Sequence, residues 1–111
     1  MSREYVFGWD REREFFESMN EDSVREFTVS GDVFADANGL SLSSAVWTPV
    51  FGNISIGSNT ETGNKTTAQV TADSVCRSQF KVTLTFDDGQ KGVIYFNIDV
   101  EEREDRTERY F

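Results

Sequence analysis

The feature that most constrains this fold is a pair of strictly alternating apolar runs within residues 78–100, separated by the polar segment Asp-Asp-Gly-Gln at 87–90. Side chains leave a strand on opposite faces in turn, so apolar residues at every second position are typical of a strand half-buried against a core. Asp and Gly between two such runs favour a tight turn. The sequence therefore predicts a β-hairpin, which we interpret as the last two strands of a sandwich. The alternating apolar residues are Phe80, Val82, Leu84 and Phe86 in the first run and Ile94, Phe96, Ile98 and Val100 in the second.

Upstream of this hairpin, residues 23–77 read as several shorter strands with turn residues between them. Apolar alternation predicts strands near 24–29, 43–48, 53–56 and 66–71, with a brief strand at 33–35 and a polar loop at 57–65. We expect Trp47 in the core, and Pro49 should end its strand or place it at a sheet edge. The predicted fold is all-β: an immunoglobulin-like antiparallel β-sandwich of about seven strands.

Charged residues crowd into both ends of the chain. Residues 1–25 hold seven acids and four bases, residues 99–111 hold six acids and three bases, and the 73 residues between them hold only seven acids and four bases. The sequence is accordingly divided into an N-terminal arm (1–22), a sandwich (23–100) and a charged C-terminal tail (101–111). Asp10 can cap a short helix within the N-terminal arm. The simplest alternative is that both ends are solvated extensions.

Large aromatic side chains accompany these charges, and they are unusual in a solvated extension. Burial of a large apolar side chain contributes about 1.5–3 kcal/mol, so either the open end of the domain or another subunit is expected to cover them. We interpret them as a subunit interface, and we expect a sandwich lacking residues 1–20 or 103–111 to fold without assembling. The predicted interface residues are Tyr5, Phe7, Trp9, Phe15, Phe16, Tyr110 and Phe111.

Catalytic chemistry has little support in this sequence. The chain has no His, so the usual general base near neutral pH is missing. Asp87 and Asp88 are interpreted as turn residues, and Cys76 as a small packing residue with Arg77 its only basic neighbour. Residues 36–39 match part of a calcium loop, but Phe34 stands where the first oxygen ligand belongs, which favours a turn. We therefore expect no enzyme activity, no catalytic or metal site and no cofactor.

The overall charge and the single cysteine restrict the expected partners and compartment. A formal net charge of −9 argues against binding to nucleic acid or to an anionic membrane, because both need a basic surface. The first residues are charged and have no apolar signal-peptide core. One cysteine can form no internal disulfide, which is consistent with assembly in a reducing cytosol.

Three segments resemble a known protein family. Residues 43–48 read Ser-Ser-Ala-Val-Trp-Thr, residues 62–70 read Thr-Gly-Asn-Lys-Thr-Thr-Ala-Gln-Val, and the closing hairpin follows. In this order they resemble the small immunoglobulin-like proteins encoded in the structural gene clusters of tailed bacteriophages. The resemblance covers about residues 27–100. The family often has a Gly before its last-but-one strand, where this chain has residues 75–77, and residues 1–20 have no counterpart.

The resemblance implies a non-enzymatic part of a phage virion: a fibre–tail adaptor, a neck protein or a head-decoration protein. Such a protein would be assembled in the host cytoplasm as an oligomer, with other phage structural proteins and copies of itself as partners. The alternative is a receptor- or carbohydrate-binding immunoglobulin-like module of a phage fibre. Both remain expectations at this point.

Overall fold

The computed structural model describes residues 2–6 and 12–102, and this part of the chain forms two packed sheets and one short helix. The elements are β1 (Ser2–Val6), β2 (Glu12–Asn20), β3 (Val24–Ser30), α1 (Asp32–Asn38), β4 (Leu42–Phe51), β5 (Ile54–Ile56), β6 (Thr60–Thr62), β7 (Lys65–Ala72), β8 (Cys76–Phe86) and β9 (Lys91–Glu101).

The strands divide into a five-stranded and a four-stranded sheet. The first has the order β1-β3-β7-β5, with β6 also pairing with β7, and the second has the order β2-β9-β8-β4. The pairs β1–β3 and β2–β9 are parallel, and all other pairs are antiparallel. The predicted sandwich is confirmed, with both sheets mixed because the two N-terminal strands pair in parallel.

The closing hairpin is the strand pair β8–β9, with Phe80 opposite Phe96 in its register. All eight apolar residues of its predicted inward face are buried. Rings from both sheets meet there: Phe80 lies 4.8 Å from Phe96 and 5.4 Å from Phe27 between ring centroids. Period-two alternation therefore placed the centre of the core correctly.

Trp47 is buried in the core, as expected, and its strand β4 is an edge of the four-stranded sheet. The Trp47 Nε1–H group donates to Thr66 Oγ1 at 2.9 Å. Pro49 lies within this edge strand, the position in a sheet where a residue without an N–H group is tolerated. The register of β4 on β8 shifts twice, once on either side of its middle.

The prediction of a short helix in the N-terminal arm is wrong for residues 12–20. Residues 12–20 form strand β2, which extends the four-stranded sheet beside β9, while β1 extends the other sheet beside β3. Within β2, Phe15 and Met19 face the core and Phe16 faces outward, so the operative period is two. The intervening Glu17 hid this alternation, because a charged residue occupies an inward position.

The prediction of a brief strand at 33–35 is also wrong, since α1 covers these residues. Gly31 precedes the helix, Asp32 lies in its first turn and Gly39 ends it in the left-handed conformation (φ 65°). Phe34 and Ala35 are both buried, which a helix face permits and strand alternation does not. Residues 36–39, which match part of a calcium loop, are thus the end of this helix and its cap. In the described residues, no helix is long and apolar enough to cross a membrane.

Candidate functional site

Two of the residues considered for chemistry, Asp88 and Cys76, make local contacts. Asp88 lies in the hairpin turn, where its Oδ1 accepts a hydrogen bond from the Gln90 backbone N–H at 3.0 Å and its Oδ2 accepts one from the Gln90 side chain at 2.6 Å. The Cys76 Sγ atom lies 3.3 Å from Ser78 Oγ at the start of β8. Within residues 2–6 and 12–102, no group of three or more potential metal ligands comes together.

Two of the predicted interface residues belong to the chain's own packing. Tyr5 is only 5% exposed, and its ring contacts those of Phe15, Phe27 and Phe96 at centroid distances of 4.9, 5.6 and 4.8 Å. Phe15 is partly buried and stacks on Phe96 at 5.5 Å. The assignment of Tyr5 and Phe15 to a subunit interface is therefore corrected: strands β1 and β2 turn both side chains inward.

Phe16 is the predicted interface residue that the structure leaves on the surface. It is 73% exposed, the largest exposed fraction among the exposed large hydrophobic residues of the described chain. Strand alternation explains this position, because Phe15 points into the sandwich and the next residue must point out. The remaining predicted interface residues, Phe7, Trp9, Tyr110 and Phe111, lie outside the described residues.

A row of side chains crosses the outer face of the four-stranded sheet from Phe16. The strand registers place Asn97 beside Phe16, Gln79 beside Asn97 and Phe51 beside Gln79. Gln79 Nε2 donates to Asn97 Oδ1 at 2.9 Å, and Asn97 Nδ2 donates to the Phe15 carbonyl at 3.4 Å. We call these four residues the outer row: two exposed aromatic rings joined by a hydrogen-bonded amide pair.

The outer row was missed by sequence reasoning, apart from Phe16. Phe51 is 51% exposed. A register shift between Pro49 and Phe51 turns its side chain to the outer face of the sheet, although its spacing from the inward Trp47 would otherwise place both on one face. Asn97 and Gln79 looked like ordinary solvent-facing positions. Only the register of β8 on β9 brings their amides together. The sequence predicts this hairpin, but not the register that places Gln79 opposite Asn97.

A groove of about 640 Å³ runs alongside Phe16 between β2, β3, β8 and β9. Arg25 and Arg77 supply positive charge to it, and Glu17 and Asp99 supply negative charge. Arg25 Nη1 lies 3.5 Å from Glu17 Oε1, and Arg77 is directly opposite Asp99 in the strand register. Each charge thus has an opposite charge close by, and the groove has no strong preference for an anion or a cation.

Arg25 also covers part of the β2 edge. Its Nη2 atom donates to the Ser18 carbonyl at 3.0 Å, and its guanidinium lies 5.8 Å from the centre of the Phe27 ring. The side chain therefore bridges the two sheets, pairing with the Glu17 carboxylate and donating to the Ser18 carbonyl of β2. This bridge explains how Glu17 is tolerated at an inward position.

Comparison with known proteins identifies the fold. No family model matches the sequence, and no curated protein matches it. PbICP-C, solved in complex with falcipain-2, is 9% identical, with a TM-score of 0.55 over 92% of this chain and 98% of its own. The PKD domain of the KIAA 1837 protein is 18% identical, with a TM-score of 0.54 over 80% of this chain and 82% of its own.

A cysteine protease inhibitor from Entamoeba histolytica, EhICP2, is 8% identical, with a TM-score of 0.50 over 81% of this chain and 97% of its own. At such identities these likenesses show the fold alone. The chain is an immunoglobulin-like β-sandwich, as predicted.

Proposed function

We propose that this protein is a non-enzymatic structural component of a tailed-phage virion, of the adaptor, neck or decoration type, which acts through contacts between subunits. The supporting observation is the order of the three phage-like segments. They fall on β4, on β6 to β7 and on the β8–β9 hairpin. Because β4 pairs with β8 and β8 with β9, two of the segments are contiguous in one sheet.

Phe16 is the contact residue that this proposal favours. A phenylalanine exposed to water forfeits about 1.5–3 kcal/mol relative to burial, and a neighbouring subunit would recover this free energy. The groove charges beside Phe16 suit the rim of such a contact, where paired charges set orientation more than affinity. Residues 103–111, with Tyr110 and Phe111, stay in the proposal as a second contact segment. The partners are other phage structural proteins and copies of this chain, met first in the host cytoplasm.

The composition of purified particles tests this proposal. Phage particles from a host carrying the gene would be purified by density gradient and analysed by quantitative mass spectrometry. We expect this chain in the particle fraction at a fixed number of copies relative to the major capsid protein. If particles form normally and the chain stays in the soluble lysate, the virion role is wrong.

The receptor- or carbohydrate-binding alternative draws on one observation, the two exposed rings of the outer row. Aromatic rings on a flat sheet face can stack on sugars, and the amides of Gln79 and Asn97 can hydrogen-bond hydroxyl groups. The isolated protein would then bind host cells or surface glycans, and Phe51→Ala would weaken that binding. An assembly role predicts incorporation into particles without such binding.

A further inference from the structure

Strand β2 is one of the two edges of the four-stranded sheet, and the more regular of them. It pairs with β9 on one side and, among the described strands, with none on the other. Its nine residues contain no proline, and its register on β9 has no shift. A strand edge of this kind presents unpaired N–H and C=O groups that can pair with another strand.

The other described edges are less suited to strand pairing. Strand β4 contains Pro49 and two register shifts, which interrupt the spacing of its free groups. In the other sheet, β5 and β6 have three residues each and β1 has five. Short strands, bulges, prolines and inward-pointing charges protect sheet edges against association. Strand β2 is long, regular and free of proline, and its inward charge, Glu17, is paired with Arg25 at 3.5 Å.

We propose that two copies of this chain join through β2, antiparallel and about a two-fold axis at Phe16, so that their four-stranded sheets become continuous. In this register each Phe16 ring lies beside that of the second copy and loses its exposure. The inference rests on the strand edge and does not depend on the virion role, although it would supply the self-contact which that role expects.

The charges of β2 are compatible with this register. With Phe16 at the centre, Glu14 lies opposite Ser18 of the second copy, and Glu17 lies opposite Phe15 of the second copy. Arg13 lies diagonal to Glu17 of the second copy, which is a favourable cross-strand position. A register centred on Glu14 or on Glu17 instead places a carboxylate opposite its own copy, which is destabilising.

A register centred on Phe15 also avoids like charges, but it leaves the main exposed ring uncovered. Phe15 already packs against Tyr5 and Phe96, whereas Phe16 would face the Glu14 carboxylate. The hydrogen bond from Arg25 to the Ser18 carbonyl is compatible with the register centred on Phe16, because a carbonyl oxygen can accept two hydrogen bonds. The two-fold arrangement is closed, so it ends at a dimer.

The association state in solution tests this inference. Sedimentation equilibrium of the full chain should give twice the monomer mass of 12.6 kDa. Phe16→Lys should give the monomer mass, because it places two cations together at the centre of the interface. Val46→Lys, an exposed position on the opposite edge strand, should remain dimeric. A monomeric wild type at hundreds of micromolar, or a dimeric Phe16→Lys protein, overturns the proposal.

Disulfide trapping tests the register itself and does not need the Phe16→Lys variant to fold. In a Cys76→Ser background, Phe16→Cys should oxidise readily to a covalent dimer, since residues directly opposite have Cα atoms about 4.5–5.5 Å apart. Ser18→Cys is the matched control on the same strand and face. Its two copies would be four residues out of register, about 13 Å apart, and should stay reduced. Equal oxidation of both variants contradicts the proposed register.

Discussion

Trp47 is held in the core by both polar and apolar contacts. It is 9% exposed, its ring stacks on Phe80 at 5.8 Å, and its Nε1–H group donates to the fully buried Thr66 hydroxyl. Thr66 Oγ1 lies 3.3 Å from Glu61 Oε2, so the hydroxyl can donate outward while accepting from the indole. The tryptophan thus ties edge strand β4 to β7 in the opposite sheet.

Trp47→Ala should destabilise the protein by about 3–5 kcal/mol, because it leaves a large cavity. Thr66→Val keeps the shape of the side chain but leaves the indole N–H without its acceptor, at a cost of about 1–3 kcal/mol. Free energies of unfolding from urea titration measure both effects. An unchanged Trp47→Ala protein would remove this residue from the core.

Gly52 is required by the turn that follows β4. Its φ is 97°, and a Cβ atom there would lie 2.1 Å from Ser78 Oγ and 2.6 Å from Ser78 Cα. Gly52→Ala should therefore lower the free energy of unfolding by more than the roughly 1–2 kcal/mol that a left-handed backbone alone costs a non-glycine residue. Gly63→Ala is the control, because its φ is 62° and no atom lies within 4 Å of the added Cβ. Equal losses in the two variants would contradict the steric account.

The chemistry of single residues also explains which features could be predicted from the sequence and which could not. The alternation of apolar residues correctly predicted the β8–β9 hairpin and the burial of Trp47, because the apolar side chains of these strands all face one core. At Glu17 the local pattern failed, since its inward position depends on Arg25, a residue of β3 in the opposite sheet. Phe16 was selected from the sequence for its aromatic character, but its exposure follows from the strand that the sequence did not predict.

At the scale of elements, the N-terminal strands are part of the sandwich. Strand β2 pairs with β9 along its full length, β1 pairs with β3, and Tyr5 and Met19 are buried. The structure therefore reverses the expectation that residues 1–20 can be removed from a folded domain. Helix α1 shows the same limit of local patterns, because its consecutive apolar residues at 33–35 suit a strand or a helix equally until the caps are placed.

Deletion of residues 1–20 should melt the isolated domain. The loss of two paired strands and of the Tyr5 and Met19 burial, about 1.5–3 kcal/mol for each side chain, is large against a typical total stability of about 5–15 kcal/mol. Deletion of residues 103–111 is the control and should leave the melting temperature unchanged. Circular dichroism against temperature measures both. A cooperative transition at the wild-type temperature for the first deletion would show that β1 and β2 are dispensable.

At the scale of the whole molecule, the two faces of the sandwich differ in character. The five-stranded sheet presents polar groups outward, including the Thr28–Thr67 hydroxyl pair and the Lys65–Glu4 ion pair at 3.2 Å. The four-stranded sheet carries the outer row and the free β2 edge, and Phe16 belongs to both. We therefore propose that assembly involves the four-stranded sheet and depends on Phe16.

Incorporation of variant chains into particles tests that assignment most directly. A phage lacking the gene would be complemented in trans with wild-type, Phe16→Lys or Val33→Lys chains, the last being an exposed residue of α1 that belongs neither to the outer row nor to β2. Chains in gradient-purified particles would then be quantified, after circular dichroism has shown that each variant is folded. The account predicts that wild type and Val33→Lys incorporate equally and that folded Phe16→Lys is excluded. Normal incorporation of Phe16→Lys would contradict it.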